Sequence, residues 1–142
     1  MKKLIPLFSL LLIFSFGCED EKAETEQVDP LIGVYNMTSV SVSIQSNPVQ
    51  TLTFNHDGSV NYLVFILGDD GVYSFQGKLD GDDMSEGGTW SSTGNKLTLI
   101  ASGGGTEISD FTLSGNNLVL TMSVPETDTS YGINMTYNFT KE

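Results

Sequence analysis

The chain has one cysteine, one histidine and no arginine among its 142 residues. A single cysteine excludes an internal disulfide framework and every multi-cysteine metal site. A single histidine, His56, leaves little with which to build a zinc site or a Ser-His-Asp triad. Cations are scarce: six lysines face 18 acids, for a net charge of -12. Such a surface repels phosphate, so nucleic acid is not an expected partner. The length is too small for two ordinary domains. No stretch of useful length repeats apolar residues at i, i+3 and i+4, so amphipathic helices are not expected.

The longest apolar run, Leu4 to Phe16, falls short of the roughly 20 residues a membrane-spanning helix needs. Lys2 and Lys3 precede it, and the whole has the form of a secretory leader over residues 1–17. The segment Ser15-Phe16-Gly17-Cys18 resembles the bacterial lipobox, with Ser15 where that motif usually has Leu. The resemblance implies cleavage after Gly17, a diacylglyceryl group on Cys18 and acylation, such as by palmitate, of the new amino terminus. Three acyl chains would anchor permanently, since each buried CH₂ contributes about 0.8 kcal/mol. Loss of Lys2 and Lys3 makes the mature chain more acidic still.

Residues 18–30 are rich in acids: Glu19, Asp20, Glu21, Glu24, Glu26 and Asp29 oppose only Lys22. Without aromatics or apolar periodicity, this segment reads as a self-repelling flexible tether. It also resembles the export signal of surface-displayed Gram-negative lipoproteins. The expected location is the outer membrane, on either its periplasmic face or the cell surface.

Residues 31–142 carry the fold. Tyr131, Ile133, Met135, Tyr137 and Phe139 alternate with small or polar residues, which on a strand puts all five on one face. Thr51 to Phe54, Leu97 to Leu99, Phe111 to Leu113 and Leu118 to Val124 alternate in the same sense. Turn-forming residues separate these runs: Asn55 to Gly58, Gly68 to Gly71, Thr93 to Asn95, Gly103 to Gly105 and Ser114 to Asn117. The spacing predicts strands over 32–45 (with a break near its middle), 50–55, 59–67, 72–79, 88–92, 96–101, 106–113, 117–124 and 131–140. Short connections make them antiparallel neighbours. The fold class is therefore all-β, an up-and-down meander of eight to nine strands. Pairing the last strand with the first would remove both exposed edges and close a barrel.

Several motifs in this order resemble the bacterial lipocalin-like domain of small lipoproteins: Gly33-Val34-Tyr35, Thr53-Phe54-Asn55-His56-Asp57-Gly58, Gly88-Thr89-Trp90, Asn95-Lys96-Leu97-Thr98-Leu99 and Asn117-Leu118-Val119-Leu120. The resemblance spans Leu31 to Phe139 and implies a β-barrel that takes small apolar ligands. Two features depart from many lipocalins. Tyr35 stands where they have Trp, and no Arg is present to pack across it.

Little in the sequence suggests chemistry. His56 lies in a turn without an orienting partner. Asp80 to Glu86 concentrates oxygen ligands but fails the EF-hand spacing, and reads as a solvated acidic loop. No catalytic set, metal site or cofactor is expected. Trp90 suits a plug at one end of the core, with Tyr35 in the same layer. Tyr35, Phe54, Trp90, Tyr131, Met135 and Phe139 are the candidate ligand-binding residues. The expected role is a membrane-anchored, monomeric, non-catalytic carrier of a small apolar or amphipathic molecule. The alternative is a packed barrel whose loops at Asp69-Asp70 and Asp80 to Glu86 contact a partner protein or glycan.

Overall fold

The alternating runs become nine strands in a computed structural model that describes residues 29–142. The leader, Cys18 and most of the acidic segment lie outside the described residues. The strands are β1 (Gly33–Ile44), β2 (Gln50–Asn55), β3 (Tyr62–Leu67), β4 (Val72–Leu79) and β5 (Asp82–Thr93). They continue as β6 (Lys96–Ala101), β7 (Thr106–Ser114), β8 (Asn117–Val124) and β9 (Ile133–Lys141). Each neighbour pair from β3 to β9 is antiparallel.

β9 pairs with β1 from Tyr35↔Lys141 to Ile44↔Ile133, which closes an eight-stranded barrel. The ninth strand, β2, shares an edge of β1 with β3. Residues 33–36 of β1 pair with β3 and residues 39–44 pair with β2. The chain leaves that edge between them in a turn built on Asp57. Its Oδ1 accepts backbone N–H bonds from Ser59, Val60 and Asn61 at 2.8–2.9 Å. Those bonds hold the Asp57 carboxyl well below the usual carboxylate range. The turn delays β3 to Tyr62, three residues later than the sequence suggests.

β1 runs through the break expected near its middle. The register against β9 slips between Met37 and Ser39, a one-residue bulge. Without it, Met37 and Val40 would face opposite sides of the strand. With it, Tyr35, Met37 and Val40 are all buried.

Two expectations need correction. Asp80 to Glu86 is not a loop. Asp80 and Gly81, with φ of 54° and 84°, make a two-residue hairpin turn. Strand pairing resumes at once with Leu79↔Asp82, so Asp82 to Glu86 are the first residues of β5. The last strand begins at Ile133, and Tyr131 is 57% exposed in the preceding connection.

Buried side chains concentrate in one half of the barrel, where β1 and β3 meet. Tyr35, Leu67, Leu97, Leu118 and Phe139 are within 1% of full burial. Phe65 centres this core, with ring centroids 5.8–6.5 Å from those of Tyr35, Tyr73, Phe75 and Phe139. Leu31, also fully buried, lies over the end of the barrel in a short turn tied down by Asp29. Asp29 Oδ1 accepts the Leu31 N–H at 2.9 Å, and its Oδ2 accepts the Ser92 hydroxyl at 3.2 Å.

Candidate ligand-binding cavity

The period of two decides which side chains meet inside the barrel. At the sealed end these are apolar, and each polar group has a partner. The Tyr35 hydroxyl donates to the Leu31 carbonyl at 2.8 Å. Trp90 Nε1 donates to the Gly68 carbonyl at 2.9 Å. Lys141, the last residue of β9, turns inward: its Nζ stands 5.7 Å from the Tyr35 ring centroid and donates to the Pro30 carbonyl at 3.0 Å. Gly33 permits this, because a Cβ there would overlap the Lys141 stem. The cation packed across the opening aromatic is thus present as a lysine, contributed from the far end of the chain.

Towards the other end the same faces continue with different residues. On β5, Trp90 and Gly88 are followed on the inner face by Glu86 and Met84. On β7, Leu113, Phe111 and Ser109 are followed by Glu107. Here the barrel is hollow. A cavity of about 320 Å³ lies between Phe65, Tyr73, Phe75, Leu99, Leu120, Met122 and Tyr137, with Glu86 and Glu107 beside the apolar walls. Asp83, Met84 and Ser85 complete its rim. Water reaches both glutamates through the mouth. Its volume is at the lower end of the range for small-molecule pockets, about 300–1,000 Å³.

The polar groups of this cavity are coupled. The Tyr73 hydroxyl donates to Glu86 Oε1 at 2.6 Å. Burial raises the Tyr73 pKa first, and the Glu86 hydrogen bond and charge raise it further, so the phenol stays protonated. Glu107 is also raised, by burial first and by the charge of Glu86 second. The Ser109 hydroxyl, 3.5 Å from Glu107 Oε1, opposes that shift only at the outer limit of a hydrogen bond. Burial and the Glu107 charge raise Tyr137, whose hydroxyl points to Met135 Sδ at 3.8 Å. No lysine and no histidine lines the cavity. Among the described residues no cluster of three or more His, Cys, Asp or Glu could hold a metal ion.

The candidate residues read from the sequence are dispersed. Tyr35 and Phe139 belong to the packed core, and Trp90 lies at the sealed end. Met135 is half-buried on β9, next to Tyr137. Phe54, on β2, is half-buried opposite Val40, and Tyr131 is exposed. None of the six forms the cavity wall; Phe65, Tyr73, Phe75, Tyr137 and the two glutamates do. The signal for Glu86 was its alternation with Trp90 two steps along the same strand. His56 is exposed in its turn, as expected.

An eight-stranded barrel can be filled by its own side chains or can hold one small ligand, and this one is filled in one half and hollow in the other. A family model for the lipocalin-like domain matches residues 31–120. The match ends within β8, short of the strand that closes the barrel. No curated protein and no solved structure matches the chain. The match covers well over half of the sequence, and the chain belongs to the lipocalin-like domain family.

Proposed function

We propose that the domain binds one small amphipathic molecule in the open half of its barrel, and that it does so without catalysis. The supporting observation is the cavity itself: about 320 Å³ of space walled by aromatic and aliphatic side chains, inside a barrel whose other half is filled. Burial of apolar ligand surface would supply the affinity, at about 25 cal/mol per Å² before the costs of association. At the cavity the Tyr73 hydroxyl meets Glu86 at 2.6 Å, but burial and the Glu86 hydrogen bond and charge hold that phenol protonated and so a poor nucleophile. The Ser109 hydroxyl, outside the lining, stands 3.5 Å from Glu107, too far for that carboxylate to activate it.

The chain is further proposed to be an outer-membrane lipoprotein held by acyl groups on Cys18. The leader and the Gly17-Cys18 junction support this. Radiolabelled palmitate should enter the wild-type chain and not Cys18→Ser; equal labelling would refute the anchor.

The binding reading is tested by extracting small molecules from purified full-length protein and identifying them by mass spectrometry. Met122→Trp, which places an indole in the cavity wall, should remove at least nine-tenths of the extracted species. Protein that carries and takes up no small molecule would overturn the reading.

A further inference from the structure

We propose that the occupant of this cavity is a lipophilic amine, its protonated nitrogen between Glu86 and Glu107 and its apolar body among Phe65, Phe75, Leu99 and Leu120. The inference rests on the cavity being a binding site and names the class of ligand.

A carboxylate offers about four acceptor positions. Glu86 receives one short bond, from Tyr73, and Glu107 only the long one from Ser109. The hydroxyl protons of Tyr73 and Tyr137 are both directed to protein acceptors, Glu86 Oε1 and Met135 Sδ. The lining therefore presents acceptors that no protein donor takes and has no cation of its own. A ligand that brings donors and positive charge fits it. A fatty acid would add a further negative charge beside two carboxylates that already repel each other. Lys78 lies on the outer face of β4, where it pairs with Asp83 at 3.3 Å. The ring faces of Tyr73 and Tyr137 offer an ammonium group a further attraction.

The sequence made this hard to see, because both glutamates stand where alternation calls for an apolar residue.

Three probes with the same ten-carbon chain provide the test: decylamine, decanol and decanoate. Binding is measured by isothermal titration to full-length protein in phosphatidylcholine nanodiscs, with empty nanodiscs subtracted. Decylamine should bind at least tenfold more tightly than decanol, and decanoate more weakly than either. In the double variant Glu86→Gln and Glu107→Gln, the ratio of amine to carboxylate affinity should fall at least tenfold. If decanol binds and the three probes agree within threefold, or decanoate binds best, the amine inference fails while the cavity remains a binding site. An amine preference unchanged in the double variant would assign it to the acidic surface and also overturn the inference. If none of the three binds, both readings fall together.

Discussion

The two halves of the barrel are built by the same eight strands, yet they answer different needs. In the sealed half, every inward polar group finds a partner within the chain: Tyr35 on Leu31, Trp90 on Gly68, Lys141 on Pro30. In the open half, Glu86 and Glu107 keep acceptors to spare beside empty space. The contrast separates two tasks along one axis. Stability is gathered where side chains interlock, and recognition is left where they do not.

The largest expected effect lies at the junction of the halves. Phe65 touches rings on both sides, so Phe65→Ala should lose about 3–5 kcal/mol, measured by urea unfolding. A loss below about 1 kcal/mol would mean that the aromatic column does not support the barrel. A smaller effect is expected at the seal. Lys141→Met keeps the stem over Gly33 and removes the ammonium, and should cost about 1–2 kcal/mol from the lost hydrogen bond and cation–π contact. No change would place the seal in apolar packing alone.

The smallest effect has the opposite sign and belongs to the open half. Glu107 has its pKa raised on folding, so its contribution is most favourable below the ordinary carboxylate range and is lost as pH rises through the raised value. Glu86 is the acid facing it, with Tyr73, Tyr137 and Asp83 around the same cavity. Glu107→Gln should therefore stabilise the chain at pH 7, by no more than about 0.5 kcal/mol because water reaches the carboxylate. The gain should vanish near pH 4. A loss of stability at pH 7 would show that the open half depends on its charges as the sealed half depends on its contacts.

The sealed half was the more legible in the sequence. Its alternation is carried by Leu97, Leu99, Leu118, Leu120 and Phe139, and apolar residues at every second position declare a face. The closure of β9 on β1 followed from the cost of leaving two edges open. The open half was obscured by its own chemistry. Acids at every second position do not announce an inner face, so Asp82 to Glu86 read as a loop although a two-residue turn suffices before them. Nor could local pattern reveal Lys141 as the cation over Tyr35. The two residues are neighbours only because the first and last strands pair.

The turn at Asp29 to Leu31 fixes where the chain joins the barrel. It does so at the sealed base, with the mouth at the opposite pole. The domain is thus a cup held by its foot. The chain joins the barrel at the end closed by Leu31, and the rim around Asp83, Met84 and Ser85 stays clear of that junction. The open mouth of the cavity therefore faces away from the point where the chain enters the barrel.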